Sequence, residues 1–100
     1  MATIQSINLI STDPSVRSGR PCIAGTRIEV NALVIEHLFN QRPIEEIAAN
    51  YRLTLAQVHA ALAYYYEHKA ELDAVMREQD RFAEEFRERH LGSGRPPLHR

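Results

Sequence analysis

The feature that most constrains this chain is a stretch from Thr54 to about Leu91 that contains neither glycine nor proline. Because these two residues are the strongest helix breakers, the stretch predicts helix along its length. Thr54 and Gln57 have the spacing of a capping box, which predicts that the helix begins there. An unbroken helix would be roughly 55 Å long. The rest of the chain cannot cover that length, so we expect either a bend near His68 or packing of the distal half on another chain.

Upstream of this stretch, residues 1–30 contain three turn signals in quick succession, separated by short apolar runs. This pattern predicts short strands. The first is expected within residues 7–10. Residues 22–23 and 28–30 flank Gly25 as a candidate hairpin, whose turn would use a positive φ at the glycine.

Residues 31–53 predict two short helices. Asn31 is the expected N-cap of the first helix, and Asn40 its expected stop. Pro43 is expected to open the second helix. The inward face of the first helix is expected to comprise Leu33, Val34, Ile35, Leu38 and Phe39.

Two short helices followed by a longer one are the layout of a helix-turn-helix, although a generic helical corner is an alternative. We therefore expect a mostly α fold: a three-helix, homeodomain-like helix-turn-helix core with a short N-terminal β-arm and a long C-terminal helix. In the third helix, the residues expected to point inward are Leu55, Val58, Leu62 and Tyr65. The expected organisation is a single domain over 1–91 (β-arm 1–30, core 31–66, extension 67–91) and a flexible tail over 92–100.

The charges bear on nucleic-acid binding. The formal net charge of −1 counts against a simple phosphate binder, since counterion release needs clustered cations. However, residues 14–28 hold three arginines and no acid, and helix-turn-helix proteins often contact phosphates from the turns before their second and third helices. The candidate DNA-binding residues are Arg17, Arg20, Arg27, Arg42, Arg52, Thr54 and Gln57.

A second candidate surface faces a protein. The outward face of the third helix is mostly alanine, which offers little base recognition and suits close helix contact. Further along, apolar residues repeat at alternating spacings of three and four, and residues 67–90 carry eight acids and five bases. A solvated amphipathic helix is the alternative. The candidate dimer or partner residues are Ala56, Ala60, Ala63, Leu72, Val75, Phe82 and Phe86.

Catalysis has little support. The chain has no HExxH, CxxC or phosphate-binding glycine motif, so we expect no enzyme, metal or cofactor. Cys22 is the single cysteine, which excludes an internal disulfide and is typical of a reducing cytoplasm. No apolar run is long enough to cross a membrane, and no targeting segment is recognisable.

Three segments carry a family resemblance: ISTDPSVRSGRPCIAGTRIEV at 10–30, IEEIAANYRLT at 44–54 and VHAALAYYYEHKAELD at 58–73. Together they resemble the bacterial family known as domain of unknown function 433. The resemblance implies a helix-turn-helix protein, and in many cases an antitoxin paired with a nuclease-like toxin of the PIN superfamily. This chain differs from the family pattern where Ser18-Gly19 replace Gly-Gly and where Glu29 replaces proline. It also has Gln41-Arg42-Pro43 in place of a Gly-x-Ser run.

The resemblance implies an antitoxin that forms a homodimer, binds operator DNA as an autorepressor, and neutralises its toxin through a C-terminal segment. The alternative is a protein-interaction adaptor that uses a helix-turn-helix scaffold without DNA.

Overall fold

The computed structural model describes residues 1–91, and the side chains of residues 1–81 and 84 within them. Over this range the chain is mostly helical, with a short two-stranded N-terminal sheet, as the sequence predicts. The elements are β1 (Ile10–Ser11), a 3-10 turn (Arg17–Gly19), β2 (Cys22–Ile23), α1 (Val30–Val34), a π-helical segment (Ile35–Phe39), α2 (Ile44–Tyr51), α3 (Leu55–Glu67) and α4 (Lys69–Leu91). They divide into two compact units, Met1–Lys69 and Ala70–Arg100. The predicted tail 92–100 lies outside the described residues.

The small sheet pairs β1 with β2 in antiparallel register, with Ile10 opposite Ile23. The first strand, at Ile10–Ser11, is shorter than predicted and begins at the last residue of the predicted segment 7–10. The predicted hairpin around Gly25 is wrong as a strand pair. Gly25 does turn the chain with φ 79°, but α1 begins at Val30, so the returning segment contributes one isolated bridge between Cys22 and Glu29.

The first helix begins two residues earlier than the sequence predicts. Glu29 occupies the N-cap position, and Asn31 is 5% exposed within the first turn, so the predicted Asn31 cap is wrong. The reason lies at Val30, which is fully buried and whose N–H donates to Pro21 O at 2.9 Å. This bond fixes the chain against the preceding segment and starts the helix before Asn31.

The first helix continues without a gap into the π-helical segment. Asn40 N–H donates to Ile35 O at 2.9 Å, an i to i+5 bond, and the helix ends at Phe39, next to the expected stop. Leu33 and Val34 are buried as predicted, but Ile35 is 37% and Phe39 62% exposed. The π turn explains the exposure of Phe39, because its extra residue rotates the later side chains away from the inward stripe. Ile35, the first residue of the π-helical segment, precedes that rotation.

The second helix begins after Pro43, as predicted, and ends in a Schellman motif. Arg52 has φ 57°, Leu53 N–H donates to Ala48 O at 2.8 Å, and Arg52 N–H donates to Ala49 O at 3.3 Å. The residues between α2 and α3 are 52–54. The Schellman motif therefore closes α2 within a three-residue turn.

The predicted capping box starts α3. Thr54 N–H donates to Gln57 Oε1 at 2.8 Å, and Gln57 N–H donates to Thr54 Oγ1 at 3.1 Å. Two backbone donors at the helix start are thereby satisfied.

The inward stripe of α3 consists of Val58, Ala61 and Tyr65, which are buried. Leu55 was predicted to point inward but is 48% exposed, because it stands at the first turn of α3, beyond the end of this stripe. The other buried apolar residues of the first unit come from β2, α1 and α2: Cys22, Ile23, Val30, Leu33, Val34, Ile47 and Ala48.

The stretch without glycine or proline forms two helices, with an interruption at His68, where a bend is one of the two outcomes that the sequence predicts. His68, between α3 and α4, has φ −125° and ψ 34°, and its N–H is shared between Tyr64 O and Tyr65 O. Its ring stacks on Tyr64 at 4.0 Å between centroids. Among the described helices, none combines the length and hydrophobicity that crossing a bilayer requires.

The capping box is expected to contribute measurably to the free energy of unfolding. Thr54→Ala removes the side-chain acceptor of Gln57 N–H, and we expect the free energy of unfolding to fall by about 1 kcal/mol. Chemical denaturation would measure the change. Thr3→Ala is the matched control, because Thr3 is exposed in the segment before β1. Equal stability of the two variants would show that the capping box contributes nothing.

Candidate functional site

The arginines of residues 14–28 meet an acid one position beyond that stretch. Arg20 donates from Nε to Glu29 Oε1 at 2.9 Å and from Nη2 to Glu29 Oε2 at 3.0 Å. Arg17 Nε lies 3.8 Å from the same carboxylate. The paired carboxylate raises the pKa of Arg20. Two of the three arginines in residues 14–28 therefore share the carboxylate of Glu29 as their counter-charge.

The third arginine, Arg27, stands on a rigid turn. Thr26 N–H and hydroxyl both donate to Ile23 O, and Thr26 Oγ1 accepts from Ile28 N–H at 3.0 Å. Arg17 Nε also donates to Arg27 O at 3.1 Å. Among the described side chains and backbone, the Arg27 guanidinium enters no hydrogen bond or ion pair. This turn therefore holds a charged side chain that remains open to a ligand.

A cavity of about 270 Å³ opens between the segment after β1 and this turn. Its lining comprises Ser11, Asp13, Val16, Arg20, Cys22, Gly25, Thr26 and Arg27. Cys22 is 2% exposed, and burial raises the pKa of its thiol above the ordinary value of 9.0. The thiol is therefore neutral near pH 7, which makes Cys22 a poor nucleophile.

Arg42 is held in the loop before α2. Its Nε lies 2.8 Å from Glu36 Oε1, and its Nη1 donates to Glu46 Oε2 at 2.9 Å. Tyr51 hydroxyl also donates to Glu36, at 3.3 Å. The charge of Glu36 and the contact with Glu46 raise the pKa of Arg42. This predicted DNA residue thus has a structural role that ties the loop to α2.

Arg52 differs from Arg42 in being unpaired. It is exposed at the left-handed end of α2 and has no ion pair among the described side chains. The neighbouring candidates Thr54 and Gln57 each use their side-chain oxygen in the capping box. Of the polar groups at the start of α3, Arg52 is therefore the most available to a phosphate.

The alanine face of α3 is partly shared with the N-terminal segment. Ala56 and Ala63 are exposed and Ala60 is half-buried. A groove of about 310 Å³ is lined by Ile7, Ile10, Ala60, Ala63, Tyr64 and Glu67.

The residues of the N-terminal segment beside this groove are largely uncovered, because Ile4 is 93% and Ile7 77% exposed. Sequence reasoning missed them. The apolar residues at positions 1, 4 and 7, which precede the first strand, were a signal that could have drawn attention to this segment.

In the second unit, Leu72 is 4% exposed and Val75 half-buried. The side chains of the other two predicted partner residues, Phe82 and Phe86, lie outside the described ones. The described part of the chain contains no group of three or more His, Cys, Asp or Glu side chains that could hold a metal ion.

Searches among curated proteins and among solved structures find no match to this chain. A comparison with known families matches residues 10–65, which run from β1 to nearly the end of α3. The match covers more than half of the sequence. The chain therefore belongs to the family described as protein of unknown function, DUF433.

Proposed function

We propose that this protein is the antitoxin of a toxin–antitoxin pair, that it represses its own operator as a homodimer, and that it neutralises a nuclease-like toxin. For DNA binding, α2, the turn over residues 52–54 and α3 would act as a helix-turn-helix. The observation that carries the DNA half of the proposal is the unpaired guanidinium of Arg52 in that turn.

The backbone at Arg52 supports a role for its side chain. A left-handed conformation costs a non-glycine residue about 1 kcal/mol, so glycine is the favoured residue where a helix ends this way. Arginine at φ 57° is therefore not explained by stability. Its guanidinium stands in the turn before the third helix, a position from which helix-turn-helix proteins contact the DNA backbone.

The ion pairs limit how strongly this surface would bind. Arg17, Arg20 and Arg42 are paired with glutamates, which leaves Arg27 and Arg52 as the candidate arginines without an ion pair among the described side chains. A dimer would then neutralise about four phosphates, which corresponds to a slope of about −3.6 in log K against log salt. We expect binding that depends moderately on salt and whose sequence recognition comes from few side chains.

Arg52→Gly is the sharpest test of DNA binding. We expect weaker binding to the upstream region of the protein's own gene and a salt slope that is shallower by about 2 for a dimer. The free energy of unfolding should stay the same or rise by up to about 1 kcal/mol, since glycine suits the left-handed position. Fluorescence anisotropy over a salt series and chemical denaturation measure these two quantities.

Gln41→Gly is the matched control, because Gln41 is also left-handed, with φ 59°, and carries no charge. It should keep the salt slope of the unmodified protein. If Arg52→Gly keeps that slope as well, Arg52 does not contact phosphate.

The antitoxin half of the proposal rests on α4. Residues 67–90 carry a net charge of −3. Their sequence also repeats apolar residues at the spacing of one helix face, and we call this set, Leu72, Val75, Phe82 and Phe86, the apolar seam. A nuclease that binds nucleic acid needs a positively charged surface around its active site, and an acidic helix is complementary to that surface. The proposed helix would occupy the site and exclude the substrate.

The partner for the antitoxin test is the product of the neighbouring reading frame. When the two are co-expressed, we expect a stable complex and loss of the partner's nuclease activity. Val75→Asp should weaken the complex at least tenfold in calorimetric titration, since it places a charge in the apolar seam. Exposed Ala74→Ser is the control and should have little effect, because it changes neither the charge nor the apolar residues of the helix. Inhibition that survives Val75→Asp would exclude the seam as the binding surface.

A protein-interaction adaptor without DNA binding is the second candidate, and the apolar groove beside Ala63 favours it. Ala63→Glu should then abolish a dimer or partner complex in light scattering. Under the DNA proposal the oligomer should survive. Ala49→Glu adds the same charge at another exposed alanine of the first unit and is the control.

A further inference from the structure

We propose that the cavity between the segment after β1 and the turn at residues 24–27 binds a phosphate group. This site goes beyond the proposed function, because it would accept the same oxygens from a small phosphorylated ligand as from a DNA backbone. The inference rests on the open donors that line the cavity, on the rigidity of the turn that carries them, and on the charges around them.

Two arginines line the cavity. Arg27 has no partner for its guanidinium in the described part of the chain, which includes the side chains of residues 1–81 and 84. Arg20 uses Nε and Nη2 on Glu29, and its Nη1 remains unengaged within the same part of the chain. Charge-assisted bonds from guanidinium groups are strong contacts for phosphate oxygens.

The backbone supplies further donors. In the described chain, neither Gly25 N–H nor Arg27 N–H finds an acceptor. A Cβ placed on Gly25 would meet nothing within 4 Å, so the space beside this backbone is open. Thr26 N–H, which lies between those of Gly25 and Arg27, donates to Ile23 O, so the turn offers two separate backbone N–H groups to an anion.

The turn that holds these donors is fixed before any ligand arrives. The Thr26 hydroxyl donates to Ile23 O and accepts from Ile28 N–H. Arg17 Nε donates to Arg27 O. A site whose donors are already in place loses less conformational entropy on binding.

The surrounding charges leave the cavity net positive. The Cys22 thiol is neutral, and Glu29 is offset by Arg17 and Arg20. Asp13 is the remaining acid in the lining, and its Oδ1 accepts bonds from Ser15 N–H and hydroxyl. These bonds lower the pKa of Asp13, so its charge persists at neutral pH and opposes an anion. The site therefore contains one acid whose removal should improve binding.

The experiment is a titration of the full chain with inorganic phosphate, followed by ¹H–¹⁵N NMR and compared with chloride at equal ionic strength. We expect phosphate-specific shifts at the Gly25 and Arg27 amides. Arg27→Gln should weaken the apparent affinity at least tenfold, whereas Asp13→Asn should strengthen it several-fold. Asn keeps the oxygen that accepts from Ser15. Arg81→Gln, in the second unit, should leave the titration unchanged.

Two further titrations distinguish the source of the phosphate. Displacement of inorganic phosphate by a short DNA duplex would assign the site to backbone contact, and displacement by a nucleoside monophosphate alone would assign it to a small ligand. Both outcomes support the site. Equal shifts with chloride, or an Arg27→Gln variant that titrates like the unmodified protein, would overturn it.

The Arg52→Gly variant separates this inference from DNA binding. It should retain the phosphate titration even if its affinity for DNA is lost. Retention of DNA binding by a protein that fails to bind phosphate would sink the cavity proposal alone.

Discussion

Glu29 stands at the junction between the N-terminal arm and the helical core, and it contacts the arm through both its backbone and its carboxylate. It occupies the N-cap position of α1, bridges to Cys22 of β2, and accepts two hydrogen bonds from Arg20. Because Glu29 is only 14% exposed at its side chain, the pair is shielded more than a surface ion pair. A buried carboxylate left without its partner would be costly, so the arm's conformation and the start of the first helix depend on each other.

This interaction also determines what the arginine-rich stretch can do. Arg17 and Arg20 contribute to the structure of the arm, while Arg27 is left on a turn that those contacts hold in place. The Glu29 carboxylate thus neutralises part of the positive charge of the arm. It also holds Arg17 and Arg20 in place, and Arg17 in turn fixes the backbone at Arg27. The proposed DNA contacts and the proposed phosphate cavity both use Arg27, the arginine of this stretch that the pairing leaves open.

Sequence reasoning succeeded where the signal was local. The capping box needs only Thr54 and Gln57 at the correct spacing, and Pro43 marks a helix start through its own backbone geometry. It failed where a distant partner decided the outcome. The bond from Val30 to Pro21 moved the first helix start, and the pairing of β2 with β1 replaced the expected hairpin.

The candidate sites show the same limit. Residues 14–28 contain no acid, but Glu29 follows directly after them. The chain turns back between Arg20 and Glu29, so the carboxylate meets the Arg20 guanidinium. The groove beside Ala63 could not be predicted either, because it needs the N-terminal segment to lie beside α3.

The π-helical segment at residues 35–39 has a consequence for how the protein can change in length. A π turn contains one residue more than an α turn, so it can absorb a single-residue insertion within an otherwise α-helical run. Removing that residue would rotate the end of the helix by about 100° and move it by about 1.5 Å. The loop at 40–43 would then meet α2 from a different direction. A change in the length of this chain at residues 35–39 would therefore need the following loop to compensate for the change in helical register.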